Sequence, residues 1–123
     1  MIFVFGSNRQ GRHGKGAALR ARLNYGAIYG QAEGLQGNSY AIVTKELRQH
    51  MPAVSLAEVE VNVATFLRFA LSHPELEFEV TAIGCGLAGF KVSQIAPLFI
   101  NAGPNVHLPE EFYDWMNQNV QPF

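Results

Sequence analysis

Two glycine-rich stretches hold the residues of this chain whose types and spacing could do chemistry. The first runs Gly6-Ser7-Asn8-Arg9-Gln10-Gly11-Arg12-His13-Gly14-Lys15-Gly16-Ala17-Ala18 and the second Gly84-Cys85-Gly86-Leu87-Ala88-Gly89-Phe90-Lys91, each directly after a short apolar run. Glycine has no Cβ, so it accepts positive φ and lets bare backbone N–H groups approach a ligand, most usefully where a helix N-terminus adds its dipole. Two such loops in one short chain point to a phosphate cradle. The pattern Gly11-x-x-Gly14-x-Gly16 has neither the Rossmann spacing nor the GK[ST] ending of a P-loop. Lys15 is followed by Gly16 and Ala17, so no hydroxyl stands ready for a magnesium ion, and a nucleotide kinase or dinucleotide dehydrogenase is disfavoured.

The loops need elements to hold them. Ile2 to Phe5 reads as a strand buried on both faces, and Gly14 or Lys15 to Asn24 as a helix, with Ala17, Ala21, Leu19 and Leu23 recurring four apart. The segment from Ala27 to Gln36 is broken by glycines and reads as loop. After the turn Gly37-Asn38-Ser39, the run Tyr40 to Thr44 is a second strand ending at Lys45. Ser55 with Glu58 three residues on forms a capping-box pattern. Beyond it Leu56, Val59, Val63, Phe66, Leu67, Ala70 and Leu71 make one helical face, closed by Pro74. Phe78 to Ile83 is a third strand feeding the second glycine loop. A helix with Val92, Ile95, Ala96 and Phe99 on one face follows, shortened by Pro97. Asn105 to Leu108 is a last strand, and Pro109 to Asn119 a terminal helix docking through Phe112, Trp115 and Met116. Strands alternating with helices predict an α/β sheet covered on both faces, in which ligands sit beyond the carboxyl ends of the strands. Both glycine loops and Lys45 fall at such ends.

A chain of 123 residues, 48% apolar and 15% charged, is expected to be a single domain spanning residues 1–123 with a sizeable core. Its formal net charge of −1 disfavours general attraction to polyanions, so an anion must be held by local geometry. No apolar run approaches the ~20 residues of a membrane span, and the start of the chain lacks a signal-peptide pattern, so a cytoplasmic protein without membrane partners is expected. The lone Cys85 excludes an internal disulfide and reads as a small residue filling a turn. His13, His50, His73 and His107 show no metal-ligand spacing, and no metal or cofactor is expected.

In these residues the chain resembles the macro domains, which bind ADP-ribose and related nucleotides. Phe3-Val4-Phe5-Gly6-Ser7-Asn8 is similar to the strand that ends in an asparagine contacting the distal ribose, and Gly11 to Ala18 to the loop and helix that follow. Gly84-Cys85-Gly86-Leu87-Ala88-Gly89-Phe90 is similar to the loop that wraps the diphosphate and ends in an aromatic against that ribose. Tyr40 to Lys45 resembles the terminal ADP-ribose protein glycohydrolase branch, where this lysine works with a loop aspartate to remove ADP-ribose from carboxylate side chains. Here Ala88 stands at the aspartate's position.

The resemblance implies a three-layer fold with a mixed, mainly parallel sheet. It also implies a ligand site made of Asn8, Gly14, Lys15, Gly16 and the stretch Gly84, Cys85, Gly86, Leu87, Ala88, Gly89 and Phe90. Partners would be ADP-ribose or an ADP-ribosylated macromolecule, with nucleic acid only as such a carrier. Lys45 is the candidate nucleophile. A lysine attacks only as the neutral amine and needs a second group to move protons, for which Glu33 and His13 are candidates. Glu46 is a candidate local counter-charge for Lys45. Macro domains carry upstream strands and an aspartate that reads adenine, whereas this chain opens on the asparagine strand; Ile2, Phe3, Tyr25 and Tyr29 are candidates for an apolar base slot. The alternative is a small interaction or structural protein that keeps the fold without the ligand.

Overall fold

The computed structural model describes residues 1–120. In chain order the elements are β1 (Ile2–Asn8), α1 (Gly16–Asn24), β2 (Gly34–Gln36), β3 (Ser39–Lys45), α2 (Leu56–Leu71), β4 (Phe78–Val80), α3 (Val92–Ile95), a 3-10 turn (Ala96–Phe99), β5 (Val106–His107) and α4 (Glu110–Asn119). The strands form one sheet in the order β2-β3-β1-β4-β5, parallel throughout except for β2, which runs antiparallel to β3. The fold is α/β, with a mixed, mainly parallel sheet and helices on both faces. Among the described residues no helix is long and apolar enough to cross a membrane.

Alternation along the central strand separates the two layers. Phe3 and Phe5 point to one face, where they pack with Ala18 and Ala21 of α1 and with Ala41. Ile2 and Val4 point to the other, joining Tyr40, Ile42, Phe78 and Val80 beneath Val59, Val63 and Phe66 of α2, Ile95 of α3 and Phe112 of α4. Fully burying side chains of this size contributes ~1.5–3 kcal/mol each. The terminal helix docks as expected, with Phe112 buried and Trp115 and Met116 packed against the core. Helix α1 meets the sheet through alanines, and Leu23, expected inward, is 67% exposed. Small residues here let the helix lie close against the aromatic pair of β1.

Four expectations on elements change. β1 runs on to Asn8 because β3 pairs with it from Phe3, opposite Ser39, through to Asn8, opposite Lys45. The third strand stops at Val80 instead of Ile83. Thr81 gives both its N–H and its Oγ1 to the Val4 carbonyl, and Ile83 N–H turns back onto Thr81 O at 2.7 Å. The glycine-broken segment contains a strand after all, β2, anchored by the buried Gln36. Finally, Leu71 is exposed and α2 ends there at the cap Ser72, before Pro74. Ser55 accepts the Glu58 N–H at 3.1 Å as the capping pattern predicts, but the Glu58 carboxylate turns to Arg9.

Candidate functional site

The carboxyl ends of β1, β3 and β4 open onto one cavity of about 810 Å³, within the ~300–1,000 Å³ typical of small-molecule sites. Its floor is the end of β1, Gly6 to Asn8. One wall is the turn Gly14 to Gly16 and the first turn of α1, another the loop Thr81 to Ala88, and Thr44 and Lys45 stand on the β3 side. Neighbouring residues Thr44 and Lys45 both reach the cavity because of a β-bulge. Ser7 pairs with Val43 but Asn8 with Lys45, so Thr44 is the extra residue and re-aims the strand end.

Backbone donors are the site's main resource. The N-cap of α1 is Lys15, whose side chain caps nothing, and among the described residues the N–H groups of Gly14, Lys15, Gly16 and Ala17 carry no hydrogen bond. Across the cavity the same is true of Gly84, Gly86, Leu87 and Ala88, while Cys85 and Gly89 are tied inside their loop. Orphan donors at a helix N-terminus facing a turn of free amides suit an anion with oxygens on two sides. Arg12, Lys15 and Lys45 line the same space, and none of them makes an ion pair among the described residues.

Asn8 serves loop and cavity together. Its Oδ1 accepts the Arg12 N–H at 3.0 Å, closing the turn after β1, and its Nδ2 has no protein partner among the described residues.

Behind the floor, Arg9 and Glu46 fasten the two strand ends. Arg9 grips Glu58 of α2 with Nη2 at 2.6 Å and Nε at 3.3 Å, and reaches Glu46 at 3.3 Å. Glu46, its side chain 1% exposed, also accepts from Gln10 at 2.6 Å and from Arg48 at 2.9 Å. Glu46 therefore answers Arg48 and Arg9 and not Lys45, correcting the expected local pairing. The hydrogen bonds from Arg48, ahead of those from Gln10 and Arg9, hold its carboxyl well below the ordinary 4.5 despite burial. A depressed folded value means that the stabilisation is present above the ordinary value and is lost as pH falls below it. Melting temperature is therefore expected to fall on acidification below about pH 4.5, with a shallower acid limb in Glu46→Gln.

Of the residues expected at the site, Asn8, Gly14, Lys15, Gly16, Lys45, Gly84, Cys85, Gly86, Leu87 and Ala88 come together around the cavity. His13, Glu33, Gly89 and Phe90 do not line it. His13 is wholly buried with its ring edge-on to Phe5 at 5.1 Å, and its Nε2 lies 3.0 Å from Gln31 O and 3.1 Å from Gln36 Oε1. Both neighbours are acceptors, so Nε2 donates to them, and Nδ1 has no hydrogen-bond partner among the described residues. His13 also has φ +46, the only left-handed non-glycine among the described residues. It is a clasp between the first loop and the β2 segment, out of reach of a phosphate. Glu33 is exposed beside β2. Phe90 sits under the second loop against the core, where a Cβ on Gly84 would meet its ring at 3.2 Å.

The expected base slot is also displaced. Ile2 and Phe3 are core, Tyr25 stacks on Phe3 at 4.5 Å, and Tyr29 is exposed outside the cavity. Apolar lining comes instead from Leu47, Leu87 and Val92, and one carboxylate, Glu111, comes from α4. Glu111 lies in the first turn of α4, and the strand order, which sets β5 next to β4, brings that turn to this end of the sheet. The Cys85 thiol is pushed up by burial and, less, by the Glu111 charge, so it stays protonated and unreactive at neutral pH. Compared with protein-family models, with curated proteins and with solved structures, the chain finds no significant match in any of the three.

Proposed function

We propose that the cavity binds ADP-ribose, free or attached to a macromolecule, and that the chain reads this group without efficiently removing it. The observation that carries the reading is the pair Gly14 and Gly86. Both line the cavity, neither has a positive φ, and a Cβ on either would meet no atom within 4 Å. The fold accepts a side chain at both positions, so their being glycine is explained by close approach of something outside the chain. A diphosphate between the two sets of free amides satisfies that requirement, with Arg12 and Lys15 as counter-charges and Asn8 Nδ2 beside Lys45 facing the distal ribose. The resemblance of these segments to macro domains gives the same assignment. An interaction protein without a ligand has no use for glycine at either place.

Removing ADP-ribose from a carboxylate needs a proton-handling group beside Lys45, worth roughly 10²–10⁴ in rate. Ala88 offers none, His13 is sealed behind the loop, Glu33 lies outside, and Glu111 stands across β1 and β4 from Lys45. Calorimetric titration should therefore give binding of ADP-ribose by the wild-type chain and weaker binding by Lys45→Ala. Incubation with a glutamate-ADP-ribosylated peptide should give no release beyond buffer, and Ala88→Asp should gain release. Rapid release by the wild type that vanishes in Lys45→Ala would overturn the reader assignment, and absence of binding would overturn the ligand assignment.

A further inference from the structure

Glu111 is the one carboxylate among the described residues lining the cavity, which it shares with Arg12, Lys15 and Lys45. The charges are unevenly placed along the sheet. Lys45 ends β3, Arg12 and Lys15 follow β1, and Glu111 follows β5, beyond the loop that leaves β4. The dipole of α4 alone does not account for this position, since Glu110 occupies the same first turn without lining the cavity. Glu111 makes no ion pair with the protein among the described residues, so its oxygens are available to a ligand.

We propose that Glu111 is a specificity residue, accepting a hydrogen bond from a neutral donor on the β4–α4 side of the cavity and repelling a second anionic group there. The inference rests on the ADP-ribose reading above. With the diphosphate between the loops and the distal ribose at Asn8 and Lys45, the adenosine half extends toward Glu111, Leu87 and Val92. An ionised carboxylate is acceptor-only. It matches the ribose hydroxyls or the exocyclic amine of an unmodified nucleoside. A phosphate ester on that nucleoside brings like charges together with no donor between them, and such mismatch is a device for rejecting the wrong ligand. The ligand class is thus a nucleoside diphosphate sugar whose nucleoside carries no further phosphate.

The test compares ADP-ribose with its adenosine 2′-phosphate analogue by calorimetry on the wild type, Glu111→Gln and Glu111→Lys. Because Glu111 is solvent-exposed, the expected wild-type preference for ADP-ribose is modest, about tenfold at low salt. Glu111→Gln should bring the two ligands to near parity and Glu111→Lys should reverse the order. Added salt should narrow the preference in the wild type and leave Glu111→Gln unchanged. A ratio that is the same in the wild type and Glu111→Gln overturns this assignment and leaves the ADP-ribose reading standing. Absence of binding of either ligand to every variant overturns both.

Discussion

Gly86→Val is expected to abolish the rise in melting temperature that ADP-ribose gives the wild-type chain, while leaving the unliganded protein as stable as before. The two halves follow from one geometry. Gly86 has an ordinary φ and empty space where its Cβ would stand, so valine forces neither strain nor a clash within the protein. Gly86 lines the cavity and, like Leu87, has a free N–H, so branched methyls added at this residue are expected to hold a phosphate off the amides. A ligand at a hundredfold excess over its dissociation constant stabilises by about 2.7 kcal/mol, a shift of several degrees in a domain of this size. Differential scanning fluorimetry with and without ADP-ribose reads both effects. A variant that melts as the wild type and still shifts would mean that the second loop does not touch the ligand; one that melts early would mean that the loop needs this glycine for itself.

How much of this could be read from the residues differs from element to element. The β1, β3 and α2 assignments follow from local pattern, since each is a run of apolar residues long enough to carry its own period. The convergence of both glycine loops on one end of the sheet also followed, because parallel strands joined through helices present their carboxyl ends together. What local pattern could not give is which loop residues face inward. His13 looks like a loop-tip residue between Arg12 and Gly14, and it is buried only because Phe5 offers an edge and the β2 segment brings Gln31 O and Gln36 Oε1 to its Nε2. Those partners come from a stretch whose glycines hid a strand. Glu111 was missed for the same reason at longer range. Nothing near it in sequence marks a cavity, and its place depends on β5 adding beside β4 through a two-residue pairing, Phe78 with Val106 and Glu79 with His107. Non-local pairings of that kind have no signature in periodicity.

The first loop holds two glycines that should respond to alanine with opposite signs. Gly11 has φ +65, and a Cβ there would lie 2.7 Å from Gly30 C, 2.9 Å from Gln31 N and 3.0 Å from Ala32 N. All three are backbone atoms, and the Gly30 N–H is itself bonded to Gly11 O at 2.7 Å, so no side chain can swing aside to make room. Left-handed strain and overpacking each cost roughly 1–3 kcal/mol. Gly11→Ala should therefore lower the melting temperature by on the order of 10 °C, with the clasp at His13 loosened in the same step. Gly14, three residues on, has no positive φ and no neighbour within 4 Å, so alanine restricts the unfolded chain without harming the folded one. Gly14→Ala is expected to gain about 0.4–1 kcal/mol. Its methyl group, however, is added on a residue that lines the cavity, and affinity for ADP-ribose should drop as stability rises. Thermal melts of the two variants, each with and without ligand, separate the glycine that shapes the loop from the one that admits a ligand. Equal destabilisation by both would remove the distinction, and with it the main support for a ligand at this end of the sheet.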